Sequence, residues 1–288
     1  MAPQRDSNES RLSRRSLLCA VGIGSGAATV NTASAYVHGR DEDTDGDGIP
    51  DSTKRSGTFH RQLEETFGPE QFEGVAVGRQ DLLIDVRYVG PTGVFPATKR
   101  AIVDRFRRHG IYAQWLDYPG RYDADLVDEQ YGSTVEDLLW GRRSFYDGEI
   151  EAELENVALQ LLVVPGETAP PHAGRLYSRW METTGGGTDG YVNGFSVGNR
   201  AVVANRENHE SEARLVFHEL THLALCHDDD PENTGSMGTG EELDLMDHEW
   251  DRLREGLSNV RETTGYDVGF RPCLWDEHLA PMFNGGVT

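Results

Sequence analysis

Apolar positions along this chain recur with two different spacings that take turns from about residue 76 onward. Leu82 to Val89 reads as a strand, closed by Pro91 and Gly93. Ala97 to His109 follows with helical spacing, apolar at Ile102, Val103 and Phe106 and stopped by Gly110. Ile111 to Leu116 predicts a second strand, after which Pro119-Gly120 predicts a turn. Residues 121 to 155 are acidic, with a helix expected around Val135 to Phe145. Val157 to Val164 is an almost unbroken apolar run, the mark of a strand covered on both faces. Gly185-Gly186-Gly187 and Gly190 predict a mobile connection, and Tyr191 to Ser196 and Arg200 to Ala204 predict two short strands. A helix from about Ser211 to Cys226 and another from His248 to Asn259 complete the pattern, which has no internal repeat. Strands and helices in this mixture predict one mixed domain over residues 76 to 288.

The helix from Ser211 carries the residues with chemistry, His218-Glu219-Leu220-Thr221-His222. Four residues are one helical turn and a little more, so both imidazoles leave one face roughly 40° apart. That pair suits two corners of a zinc tetrahedron, and Glu219 is placed to take a proton from a water on the metal. Val216, Leu220 and Leu223 share one side of the helix, while Arg214, His218 and His222 share another. One stripe is made for burial and the other for a metal at the floor of a cleft. The plainer reading of the same residues is two surface histidines on an acidic helix.

Charge narrows the setting. The net charge over 288 residues is −22, and the cations are almost all arginine, with only Lys54 and Lys99 as lysines. Acid spread along the whole chain with so little lysine resembles proteins of salt-loving archaea, whose carboxylates hold water in brine. Such a field disfavours nucleic acid and anionic membrane surfaces as partners. A peptide or protein substrate is the partner expected. At the amino terminus, Ser13-Arg14-Arg15-Ser16-Leu17-Leu18 matches a twin-arginine export signal, with an apolar stretch through Val30 and a small-x-small site at Ala33-Ser34-Ala35. Cleavage after Ala35 removes four arginines and two acids, taking the net charge from −22 to −24. The rival readings are a retained anchor and a lipoprotein on Cys19, although Leu18 stands where a lipobox wants a small residue. The expected location is therefore outside the cell, reached folded. Cys226 and Cys273 then remain, either as a disulfide or as two buried thiols.

Residues 36 to 75 read as an acidic linker that holds one further motif, Asp43-Thr44-Asp45-Gly46-Asp47-Gly48-Ile49-Pro50-Asp51. Alternate aspartates can project oxygens to one centre, and Gly48 permits the turn around it, which suits calcium on Asp43, Asp45, Asp47 and Asp51. Position twelve of an EF-hand loop would be a bidentate glutamate, and here it is Lys54. The form DxDxDGxxD resembles the short calcium loops of thrombospondin type 3 and dockerin-like repeats. A solvated acidic linker is the alternative.

The order of elements leading to the HExxH helix resembles the amino-terminal half of a zincin metallopeptidase, and most nearly the metzincins, over about residues 80 to 260. The resemblance implies an α+β fold with a mixed twisted sheet, an active-site helix carrying HExxH, and a small helical carboxyl-terminal part. It implies a zinc hydrolase acting on peptide bonds, with Glu219 as the catalytic base. Metzincins place a methionine turn under the metal, and Met246 in Asp244-Leu245-Met246-Asp247 or Met237 in Gly235-Ser236-Met237-Gly238 would fill that role. They also extend the motif to HExxHxxGxxH. Here Leu225 stands at the glycine position and Asp228 at the third-ligand position, with His227 just before it. On an unbroken helix His227 would lie about 180° from His218 and Asp228 about 80° from it. Pro231 ends the helix nearby, so either side chain is open to serve as third ligand. A gluzincin reading would use Glu241, Glu242 or Glu249, but the residues four further on, Leu245, Met246 and Leu253, do not give that group's ExxxD pattern. The other class of function is a secreted calcium-binding surface or binding protein whose zinc is structural or vestigial, its fourth position closed by protein.

Overall fold

The structure, a computed structural model, describes residues 42–139, 154, 157–183, 189–197, 199–222 and 247–257. Two helices, α1 (Asp51–Lys54) and α2 (Gly57–Phe67), precede β1 (Asp81–Val89), α3 (Pro96–Arg108) and β2 (Tyr112–Tyr122). Next come α4 (Ala124–Tyr131), β3 (Ala158–Val164), β4 (Leu176–Tyr177) and α5 (Arg179–Thr183). The chain then forms β5 (Tyr191–Val192), β6 (Gly194–Val197), β7 (Arg200–Ala204), α6 (His209–His222) and α7 (Asp247–Gly256). Five strands make one sheet in the order β2-β1-β3-β7-β6, while β4 and β5 pair apart from it. β2, β1, β3 and β7 are mutually parallel, and β6 runs antiparallel along β7 at the end of the sheet. Parallel neighbours need a crossover, and α3 supplies it between β1 and β2. The sheet is therefore mixed, as expected, but its connectivity is that of an α/β fold more than of the α+β class.

Alternation along the strands sorts the core. Leu82, Ile84, Val86 and Tyr88 of β1 and Leu159, Leu161 and Val163 of β3 point to the face covered by α3, α6 and α7. There Phe106 of α3, Phe217 of α6 and Trp250 of α7 meet as three rings, with centroids 5.6 to 6.0 Å apart. Their contacts fix the motif helix against its two neighbours, and each such ring pair adds about 0.5–1.5 kcal/mol to the burial itself. Alternate residues of β1 and β3, with Leu116 of β2, line the other face in two separate clusters. Leu83, Leu116 and Ala158 pack with Ile49, Phe59, Leu63 and Phe67, whereas Val89, Leu162 and Val164 pack with Val127, Val135 and Leu138. Between them on β1 lie Asp85 and Arg87, both fully buried, with Arg87 Nε donating to Asp85 Oδ2 at 3.1 Å. β3 is buried at every position, as its apolar run requires.

Three expectations change. Residues 42 to 75 are not a linker: Ile49, Phe59, Leu63, Phe67, Phe72 and Val75 are all core residues under the sheet. Their spacing gave too little periodicity to be seen before the strands that they cover were known. Pro119-Gly120 is not a turn, because β2 continues to Tyr122. β2 lies at the end of the sheet and its register jumps there, Val86 facing Asp117 but Tyr88 facing Arg121. A proline is tolerated at such an irregularity on an edge strand. Tyr191 to Ser196 is not one strand: Tyr191 and Val192 pair with Tyr177 and Leu176, and only Gly194–Val197 forms the sheet edge. Among the described residues no helix is long and apolar enough to cross a membrane.

Candidate active site

The motif helix begins where the sequence offers a cap. Asn208 accepts the Ser211 backbone N–H on its side-chain oxygen at 2.9 Å, and Glu210 and Glu212 fall in the first turn. Glu212 also reaches the start of α3, accepting the Phe95 N–H at 2.8 Å, and Thr98 donates to the His209 carbonyl at 3.2 Å. These bonds tie the first turns of α3 and α6 together. Ala213, Val216, Phe217 and Leu220 are buried, as the apolar stripe predicts, while Arg214 and His218 stay half-buried on the other side. His218 and His222 lie one turn apart on the same helix. The described structure covers the His222 backbone but not its side chain.

Glu219 is the residue whose surroundings are most fully defined. It is 5% exposed, and its carboxylate lies beneath the edge strand β6. Ser196 Oγ donates to Glu219 Oε2 at 2.7 Å. Gly194, two residues earlier on β6, leaves the space that the carboxylate fills: a Cβ there would stand 2.7 Å from Glu219 Oε1. Residues at i and i+2 of a strand share a face, so Gly194 and Ser196 both point at the helix while Phe195 points away, packing edge-on to Trp180 at 5.5 Å. Burial pushes the Glu219 carboxyl up to about 7, and the Ser196 hydrogen bond works against that rise. A carboxyl that titrates near neutrality and is held by one donor is suited to accept a proton and to return it. The flanking histidines have the chemistry of zinc ligands, nitrogen donors at helical i, i+4 spacing beside a carboxylate that is itself turned to β6. A zinc ion there would add positive charge and draw the Glu219 carboxyl down again.

Ser196 and Gly194 were not singled out from the sequence. A serine and a glycine two apart on a short strand carry no pattern, and only the packing of β6 over α6 gives them a role. The other candidates divide into two groups. Asp43, Asp45 and Asp47 converge, with one carboxylate oxygen of each within 4.8 Å of the others. Asp51 is turned to different partners, accepting from Thr44 N at 3.1 Å and from Arg55 Nη2 at 3.0 Å. His227, Asp228, Cys226, Cys273, Met237, Met246, Glu241 and Glu242 lie outside the described residues, as does the signal Ser13 to Leu18. Glu249 lies in α7, but its side chain is outside the described structure.

A cavity of about 520 Å³ opens at the other end of the sheet, between the carboxyl ends of β1 and β2 and the end of α2. Its polar walls are already matched to one another: Asp117 accepts from Lys99, from Tyr88 and, at 2.9 Å, from Trp115 Nε1. It has no part in the motif site.

No family model matches the chain, and no curated protein matches it either. Among solved structures the chain is similar to the crystal structure of archaemetzincin from Methanopyrus kandleri, at 17% sequence identity. The match covers 62% of this chain and 96% of the other, with a TM-score of 0.35, too low for the likeness to carry fold or chemistry across.

Proposed function

We propose that the chain is an exported zinc-dependent peptidase of metzincin-like fold, with His218 and His222 as zinc ligands and Glu219 as the catalytic base. The observation that carries this reading is the Glu219 carboxylate, buried on the HExxH helix and held by Ser196 of the edge strand. His227 or Asp228 completes the ligand set. Zinc, when bound, supplies a Lewis acid for the scissile carbonyl and for the attacking water. Glu219 accepts a proton from that water and delivers it to the leaving amine, a role worth roughly 10²–10⁴ in rate. β6 pairs on one side only among the described strands, with β7, so its outer edge has backbone groups to offer an extended peptide. A substrate added there lies one strand spacing, about 4.8 Å, from Gly194 and Ser196, the β6 residues in contact with Glu219. The acidic composition and the twin-arginine motif at Ser13 to Leu18 support a site of action outside the cell, in salt.

Glu219→Gln tests the reading. Glutamine has nearly the same size, keeps an acceptor for Ser196 and is no zinc ligand, so fold and zinc content should match the native protein. Hydrolysis of a mixed peptide library in concentrated salt should be present for the native chain and lost for the variant. A zinc-loaded native chain that cleaves no peptide favours instead a binding protein whose zinc is structural. A folded chain that takes up no zinc removes the reading altogether.

A further inference from the structure

The acidic loop from Asp43 to Asp51 has the spacing of a calcium site, yet its centre is filled by a side chain. Lys54, fully buried, places its ammonium 2.6 Å from Asp45 Oδ1 and 2.5 Å from Asp47 Oδ2. A third bond goes to the Arg79 carbonyl at 2.9 Å, and Asp81 lies 3.8 Å away. An ammonium has three N–H donors, and these three acceptors use them all. The remaining oxygens are also engaged. Asp43 accepts from the N–H groups of Gly46, Asp47 and Gly48 at 2.8 to 3.3 Å. Asp47 accepts in addition from the N–H of Ile49 at 2.8 Å and of Asp81 at 2.6 Å. Asp45 accepts from the Gly78 N–H at 2.7 Å. Burial acts to lower the Lys54 pKa, but the hydrogen bonds it donates to Asp45 and Asp47, with the attraction of both carboxylates, outweigh it, so the ammonium stays charged.

We infer that Lys54 is the resident cation of a calcium-type loop, so that the chain clamps its amino-terminal segment onto the start of β1 without metal. Lys54 is residue twelve of the loop counted from Asp43, the place where an EF-hand carries the glutamate that grips calcium from two sides. The substitution exchanges a ligand for the ion itself. A calcium ion entering this loop must displace a buried ammonium from Asp45 and Asp47, its two nearest counter-charges, which makes native affinity for calcium negligible. What the loop holds is local and specific. Asp47 bonds the first N–H of β1, Asp45 bonds the Gly78 N–H, and Lys54 bonds the Arg79 carbonyl just before the strand. Ile49, carried by the same loop, is thereby set into the cluster beneath Leu83 and Leu116.

Thermal unfolding of the full chain with calcium chloride as the probe tests this, zinc being kept in excess so that the histidine site is saturated throughout. The native Tm should not move between calcium-free buffer and millimolar calcium. Lys54→Met should lower Tm by on the order of 10 °C without calcium, since a buried charge partner is lost. Calcium should recover that loss, and Lys54→Glu, which restores the twelfth ligand, should depend on calcium more strongly still. A native Tm that rises with calcium, together with uptake of one calcium per chain, overturns the inference. So does a Lys54→Met chain whose stability equals the native one, or one that calcium fails to rescue. None of these outcomes depends on peptidase activity, so the inference stands or falls apart from the proposed function.

Discussion

The contact between Gly194 and Glu219 gives the sharpest test of the site. An alanine at 194 would put its Cβ 2.7 Å from Oε1, 2.9 Å from Cγ and 3.0 Å from Cδ of Glu219. Ordinary contact begins at 3.4 Å, so the pair must separate by about 0.7 Å at the closest atoms. The backbone at Gly194 is not in the left-handed region, so alanine itself fits the strand. β6 is hydrogen-bonded to β7 along its whole length, from Gly194 facing Val203 to Val197 facing Arg200. The carboxylate, held by one side-chain hydrogen bond, is the softer partner and is the one that moves. Misplacing a reacting group by about 1 Å costs up to about 10² in rate. Gly194→Ala is therefore expected to lower kcat/KM for peptide hydrolysis by about 10- to 100-fold, with zinc content unchanged and Tm within a few degrees of native. Steady-state hydrolysis beside metal analysis and thermal unfolding measures all three. Full activity in a folded Gly194→Ala chain would show that Glu219 does not work from this position. Loss of zinc or a collapse in Tm would show that the strand or the helix yielded in its place.

Three further outcomes follow from the same packing. Ser196→Ala removes the donor to Glu219 Oε2 and should cost about 10- to 100-fold in kcat at unchanged zinc content, given about 1.5–3 kcal/mol for a hydrogen bond to a charged group; Ser196→Thr should restore most of it, and equal kcat for native and alanine chains counts against the role. A chain starting at residue 70 loses Ile49, Phe59, Leu63 and Phe67 from beneath the sheet, at roughly 2–5 kcal/mol for each large side chain, and should not unfold cooperatively; a sharp transition near the native Tm would return residues 42 to 69 to the status of a linker. Burial raises the Glu212 carboxyl above its ordinary 4.5, so the stability it contributes is complete below that pH and is lost as pH rises through the raised value. Glu212→Gln keeps the acceptor for Phe95 N–H, so denaturation at pH 5 and pH 8 should show the variant gaining on the native chain at the higher pH. Parallel curves would refute it.

Much of the frame was legible in the residues. The strands at Leu82 and Val157 and the helices at Ala97 and Ser211 appear within a few residues of their predicted places, because each buries a stripe with its own period. The HExxH spacing likewise determined by itself that His218 and His222 share a helix face. Local rules failed where the outcome depended on neighbours distant in the chain. Pro119-Gly120 has the composition of a turn, yet lies in a strand because an edge strand can leave an N–H out of its ladder. Residues 42 to 75 look like a solvated acidic stretch until Leu83, Leu116 and Ala158 present an apolar face for Ile49, Phe59 and Leu63 to cover. Aspartates at alternate positions imply a cation, and the sequence put Lys54 at the twelfth place without saying which way its ammonium turns. Folding decided that, since a long buried side chain goes where its charge is matched. Glu219 shows the same division: its place on the helix is a matter of spacing, whereas its burial, its raised pKa and its contacts with Gly194 and Ser196 arise only when β6 lies across α6. Periodicity is a property of adjacent residues, and a protonation state is a property of whatever the fold brings alongside.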